Sequence, residues 1–210
     1  MERKQRAAGA VVGSAVGDAL GGPFEFGSPG AFSARFPTAG AGGEMRGGGG
    51  WDPGEATDDT QMAVLVAESL LERGGLDLPD IFARFQRWAT SEPKDMVHPD
   101  HRGRYATVLA SDWHPHQATE FNGAVWPCLG SAVWALRTTA SFEDAVRAAI
   151  DLGGDTDTVA AVTGGIAGAY YGLDAIPTRW TEPLHVPLPG FDGRVLRLAD
   201  LLHLAHRLTA

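Results

Sequence analysis

A chain of 210 residues with 44% hydrophobic content is long enough for a sizeable core, and its formal charge of −9 excludes non-specific binding to nucleic-acid phosphates. Basic residues cluster only at Arg3-Lys4-Gln5-Arg6, so no stable nucleic-acid partner is expected. One cysteine, Cys128, excludes an intramolecular disulfide; a single domain over 1–210, cytoplasmic and without a membrane partner, is the expectation.

The first predicted element is a small-residue helix over 7–20, with Gly9, Gly13, Gly17 and Gly21 at i+4 giving one bare face that a neighbour can approach closely. Its apolar run is too short and too glycine-rich for a membrane span, and Asp18 argues against a signal-peptide core. Residues 28–56 read as a long glycine-rich loop, a kind of segment that is usually functional or disordered. A helix over 58–73 follows, with Met62, Leu65, Val66 and Leu70 near one face. Another covers 79–90, with Pro79 at its start and Ile81, Phe82, Phe85 and Trp88 inward. The polar stretch 91–123 carries no clear period. Beyond it come helices over 125–138 (Leu129, Val133 and Leu136 on one face), 142–151 (capped by Ser141 with Asp144), 157–171 (Gly164, Gly168, Gly172 at i+4) and 194–208. Few runs alternate with period two, so a sheet is not expected, and the fold class is all-α, a compact helical bundle.

Two of these helices open in the same way. GEATDDTQM (54–62) and LGGDTDTV (152–159) each place a glycine-bearing turn, then carboxylates and hydroxyls, at the mouth of an apolar helix. Asp and Thr are favoured helix caps, and the helix dipole favours anions there. A cap needs one side chain, however, and Asp58, Asp59, Asp155 and Asp157 exceed that need. Adjacent like charges repel unless a cation cancels them. An oxygen-only set with no cysteine and no histidine close in sequence selects Mg²⁺, Mn²⁺ or Ca²⁺ over Zn²⁺, and two converging clusters would suit two ions.

At these residues the sequence resembles the ADP-ribosylglycohydrolase family, through GSAVGDALGGPFEF (13–26), GEATDDTQM (54–62) and LGGDTDTVAAVTGGIAGAYYG (152–172). The resemblance implies an all-α orthogonal bundle with a two-metal cleft holding Mg²⁺ or Mn²⁺, and a hydrolase that cleaves ADP-ribose from an acceptor such as arginine. By motif match the metal ligands would be Thr57, Asp58, Asp59, Asp155, Asp157 and Thr158. Glu25 matches the family's acidic residue that closes over the metals, and Glu25, Asp58 and Asp157 are the expected catalytic set. Asp18 reads as structural, tying loops near the cleft. Glycines of the 42–50 loop, Gly48, Gly49 and Gly50 above all, are expected to meet the diphosphate, with Gly153 and Gly154 also against substrate. The expected partner is an ADP-ribosylated protein, nucleic acid or small molecule. A middle segment with a GNGAxMR-like motif is absent; Asp95 matches an aspartate preceding it, and FNGAVWPCLGSAVWAL (121–136) the helix after it. The chain thus reads as a shortened member in which Trp51, Tyr105, Trp113 or Phe121 is left as a candidate to stack on adenine.

Two other functions fit parts of this pattern. A non-catalytic ADP-ribose-binding module would keep the metals without turnover. A Mg²⁺-dependent phosphatase would explain DTDTV (155–159) as a DxDxV motif, which needs an apolar strand just before it. His98, His101, His114 and His116 read as a solvated loop, Cys128 as a buried thiol, and 194–208 as a helix packed on the bundle.

Overall fold

The structure, a computed structural model, describes residues 2–38, 40, 42–75, 77–89, 91, 94, 112–118 and 121–208, without the side chains of Leu78, Pro79, Phe82, Gln86 and Ala89. Asp95, His98, His101 and Tyr105, and the inward placement of Phe82, lie outside the described residues. The helices are α1 (Arg3–Gly21), α2 (Ala31–Arg35), α3 (Asp58–Arg73), α4 (Leu78–Ala89), α5 (Val125–Thr138), α6 (Phe142–Ile150), α7 (Thr156–Tyr171), α8 (Thr178–Thr181) and α9 (Leu198–Arg207). A two-stranded antiparallel hairpin, β1 (His185–Pro187) with β2 (Val195–Arg197), pairs Val186 with Leu196.

The centre of the bundle is an antiparallel seam between α1 and α7. The two glycine stripes meet face to face. A Cβ added at Gly9 would stand 2.1 Å from the Gly168 carbonyl oxygen, at Gly13 2.3 Å from that of Gly164, and at Gly17 1.9 Å from that of Ala160. No side chain larger than hydrogen fits at such positions. The seam continues to the site: Gly21 would meet the Thr156 carbonyl oxygen at 2.4 Å, and Thr156 Oγ1 donates to Gly21 O at 2.7 Å. Around this seam α5 and α6 pack on α7, α9 packs on α1, and α4 packs on α3. The principal core joins Val12, Val16 and Leu20 of α1 to Leu65, Phe142, Val146, Ile150, Trp180 and Leu201, all fully or almost fully buried.

Three local differences from the sequence reading have physical causes. The stretch 28–56 is not loop throughout: Ala31–Arg35 makes a turn and a half of helix because Phe32 has a core pocket among Phe24, Phe36 and the Arg147 guanidinium. The hairpin near the C-terminus was not expected, since each strand is three residues long and too short to show a period. On α5 the buried face is Cys128, Ser131, Ala132 and Ala135, while Leu129, Val133 and Leu136 are half-buried. The glycine-rich α7 beside it rewards small residues with close approach. A similar shift occurs on α3, where Leu65 is buried but Met62, Val66 and Leu70 are half-buried. There the buried polar Gln61 accepts from Trp88 Nε1 at 2.7 Å, joining α3 to α4.

Candidate active site

The start of α3 is built from a distance. Thr57, its N-cap residue, makes no side-chain cap of its own. The cap is supplied in trans by Asp18 of α1, a fully buried carboxylate. Asp18 accepts from Thr57 N (3.0 Å to Oδ2), Thr57 Oγ1 (2.6 Å), Thr60 N (3.1 Å) and Thr60 Oγ1. With these bonds both oxygens are satisfied, so Asp18 fixes where α3 begins. The strand-like segment before it is held by β1, with Ala56 N donating to His185 O and His185 N donating to Gly54 O. Asp58 and Asp59 then project from the first turn of α3, Asp58 buried and Asp59 half-buried.

The second cluster caps its own helix: Asp155 Oδ1 accepts from Thr158 N at 3.2 Å at the start of α7. The preceding turn is clamped by Asn122, whose Nδ2 donates to Gly153 O at 2.7 Å and whose Oδ1 accepts from Asp155 N at 2.9 Å. Gly154 sits at φ 74°, in the left-handed region, where an added Cβ would lie 2.3 Å from Asn122 Oδ1. The loop carrying Glu25 is stitched to the same turn: Gly154 N donates to Gly27 O at 3.1 Å, Phe26 N donates to Gly154 O, and Ser33 N and Oγ donate to Asp151. The amides of Gly153 and Gly154 bond Ile150 O and Gly27 O, so they shape the turn that presents Asp155.

These pieces bring carboxylates from four segments together. Oxygens of Asp18, Asp59 and Asp157 lie within 4.8 Å of one another, as do those of Glu25, Asp155 and Asp157, so Asp157 belongs to both groups. The two sequence clusters are also bonded directly, Thr158 Oγ1 donating to Asp59 Oδ2 at 3.0 Å. Asp58 is outside both carboxylate groups and acts on Asp59 through its charge. The Thr57 hydroxyl points to Asp18. Burial, with repulsion from Asp18 and Asp58, pushes the Asp59 carboxyl up to about 8. Burial, a hydrogen bond to Asp155 and the charges of Asp18, Asp155 and Glu25 push Asp157 up to about 10. Burial also raises Asp18, against the hydrogen bonds that lower it. So many desolvated like charges call for a counter-cation, and an all-oxygen donor set fits a hard divalent ion. Burial and the nearby aspartates push the Cys128 thiol up to about 12, which leaves it unreactive.

Beside the acidic groups lies a cavity of about 410 Å³ lined by Glu25, Gly49, Gly50, Trp51 and Lys94. Its floor is a tight turn closed by Gly48 N to Trp51 O and Trp51 N to Gly48 O, both 3.0 Å. The amides of Gly49 and Gly50 take no partner among the described residues. Lys94 Nζ stands 5.5 Å from the Trp51 ring centre and 2.6 Å from buried Glu55 Oε2. Trp113, by contrast, is buried and packs with Trp126. Asn122 and Lys94 carry no metal-like or catalytic signature in sequence; the asparagine before Gly123 was the only available hint. DTDTV follows a turn after α6 rather than a strand, which removes the structural setting a DxDxV phosphatase needs. Among the described residues no helix is long and apolar enough to cross a membrane.

Comparison with known proteins agrees with this arrangement. The sequence profile of the ADP-ribosylglycohydrolase family matches residues 1–125 and 102–210. The chain is 37% identical over 148 residues to the ADP-ribosyl-[dinitrogen reductase] glycohydrolase of Rhodospirillum rubrum, covering 68% of this chain and 49% of that protein. It is 25% identical over 286 aligned positions to the ADP-ribosylarginine hydrolase Tri1 of Serratia proteamaculans, covering 87% of this chain and 76% of that one. Those positions outnumber the 210 residues here, so the Serratia protein has residues without a counterpart in this chain. A solved structure described as an ADP-ribosylglycohydrolase-related protein complex superposes with a TM-score of 0.72 at 29% identity, covering 99% of this chain and 98% of that one. The chain spans about half the length of the Rhodospirillum relative, but the family profile runs through all of it. With its all-α fold and its paired acidic helix starts, this chain belongs to the ADP-ribosylglycohydrolase family.

Proposed function

We propose that this protein is a divalent-metal-dependent hydrolase that cleaves the glycosidic bond between ADP-ribose and an acceptor. The observation that carries the reading is the meeting of Glu25, Asp59, Asp155 and Asp157 from separate segments in two overlapping carboxylate groups. Glycosidic cleavage passes through an oxocarbenium-like state, which a wall of carboxylates stabilises. Two cations, Mg²⁺ or Mn²⁺, would be held by Asp58, Asp59, Asp155 and Asp157 with the hydroxyls of Thr57 and Thr158. When bound they supply Lewis acidity toward the ribose hydroxyls and water.

The chain's own groups do the rest. Glu25, half-buried at the mouth, reaches both the Asp155–Asp157 group and the neighbouring cavity, which suits it to take a proton from the attacking water. Asp58 and Asp157, the latter deprotonated once a cation replaces its proton, would hold negative charge against the developing oxocarbenium. Asp18 positions Thr57 and Asp58 by capping α3. The open amides of Gly49 and Gly50, with Lys94, face a cavity of the right polarity for the diphosphate.

The test is release of free ADP-ribose from arginine-, serine- and acidic-residue-linked proteins, ADP-ribosylated nucleic acid and O-acetyl-ADP-ribose, each with Mg²⁺, with Mn²⁺ and with EDTA. Release from one substrate that is lost in EDTA is the expected result and names the acceptor. Tight ADP-ribose binding with no release from any of them would replace the hydrolase with a binding module.

A further inference from the structure

Two phenylalanines at the edge of the site face solvent against their chemistry. Phe26 is 72% exposed and Phe121 51%, and their rings stack with centroids 5.9 Å apart and an interplanar angle of 20°. Phe26 also sits at φ 58°, in the left-handed region that a glycine adopts without strain. Gly27 follows at once and glycine is abundant in this chain, yet the left-handed position carries a phenylalanine. A strained backbone holding an exposed apolar ring is retained only where surrounding bonds fix it, and such positions concentrate at ligand sites.

The fixing bonds belong to the active site. Phe26 N donates to Gly154 O in the turn that presents Asp155, and Phe26 follows Glu25 directly. Phe121 precedes Asn122, the side chain that clamps the same turn. Both rings are therefore tied to the groups that would hold the ribose.

We propose that Phe26 and Phe121 form the stacking surface for the adenine base of the ADP-ribosyl group, an assignment that rests on the hydrolase reading above. Base-on-aromatic stacking needs no hydrogen-bond readout, only an exposed π-face held rigid, which this pair provides.

Calorimetric titration of free ADP-ribose and of ribose 5-phosphate, at saturating Mg²⁺, tests the proposal on the wild type, Phe26→Gly, Phe121→Ala and Phe121→Trp. Phe26→Gly relieves the backbone strain and is expected to melt no lower than the wild type. Phe26→Gly and Phe121→Ala are expected to weaken ADP-ribose roughly tenfold or more, leaving ribose 5-phosphate unchanged, with Phe121→Trp close to wild type. A wild type that binds ADP-ribose while both truncations bind it equally well would overturn the platform alone. Equal loss for both ligands would also overturn it, since that is distortion of the ribose site. A raised KM for one acceptor-linked substrate with unchanged ADP-ribose affinity would overturn the adenine assignment in favour of an acceptor contact. No ADP-ribose binding by the wild type would overturn the hydrolase reading and the platform together.

Discussion

Neighbouring glycines on α7 should respond to the same substitution with opposite sign. Gly164 faces the α1 seam, and its added Cβ would lie 2.0 Å from Gly13 O and 2.7 Å from Gly13 C. That is about 1 Å short of any normal contact, and the obstacle is backbone, which has no rotamer to yield. Overpacking of this kind costs about 1–3 kcal/mol, and a rigid seam belongs at the upper end. Replacing a helix-interior glycine by alanine returns about 1 kcal/mol, leaving Gly164→Ala near 2 kcal/mol less stable. Gly165, one residue on, has nothing nearer than Ser14 Cβ at 3.7 Å. Gly165→Ala should therefore keep the helix gain of about 0.5–1 kcal/mol without the clash. At about 2–4 °C per kcal/mol for a chain of this size, the two variants should melt some 4–8 °C below and 1–4 °C above the wild type in metal-free buffer. Because the seam ends at Gly21 and Thr156, Gly164→Ala should also blunt the melting gain produced by Mn²⁺. Two shifts of the same sign, or a neutral Gly164→Ala, would refute the close-packed seam.

Other perturbations address the site. In the fold Asp59 and Asp157 keep their protons up to about 8 and about 10, against an ordinary value of 3.8 in the unfolded chain. The native state then binds more protons than the unfolded state, so these groups favour folding below about pH 4 and lose that contribution as pH rises. Metal-free melting curves should show a smaller loss between pH 5 and 8 for Asp157→Asn than for the wild type; an identical pH slope would refute the burial argument. Divalent metal must displace those protons, so the melting gain from Mn²⁺ should be larger at pH 8.5 than at pH 5.5, and equal gains would count against the carboxylates as ligands. Asp58→Ala and Asp157→Ala should abolish ADP-ribose release while leaving the far-ultraviolet circular dichroism of the bundle unchanged; full activity in either would sink the two-metal site. Asp18→Ala strands the amides of Thr57 and Thr60 in a buried setting and should lower stability by about 3 kcal/mol, read by urea denaturation.

The sequence marked α3 and α7 well because each begins with a cluster of aspartates and threonines and carries a continuous apolar or glycine stripe. The i+4 glycines of α1 and α7 announced a close contact, though not that they would contact each other, since a bare face does not name its partner. The reach of Asp18 across 39 residues to Thr57 is a tertiary bond with no local trace, so only its structural character was legible. Apart from Leu65, the larger apolar residues named on α3 and α5 flank the buried faces rather than fill them, with Met62 and Leu136 packed against the core from the edge. On α5 the neighbour is glycine-rich, so small residues are drawn in and larger ones left at the flanks. On α3 the polar Gln61 and Ser69 occupy the inner face. The Asn122 clamp depends on a turn brought from 31 residues away, which no spacing rule predicts.

The α1–α7 seam also dictates an order of events in time. Its two halves lie far apart in the chain, at Arg3–Gly21 and Thr156–Tyr171, so the glycine face of α1 stays uncovered until α7 has been made. Loop closure over that span must precede most of the favourable contacts, which slows folding relative to a bundle of sequential neighbours. Asp18 cannot seat α3 firmly until α1 is itself docked, so the first acidic cluster should acquire native order late, with the second. A nascent or proteolytically shortened chain lacking α7 would therefore expose a ready-made helix face, and that face is where a chaperone would be expected to hold it.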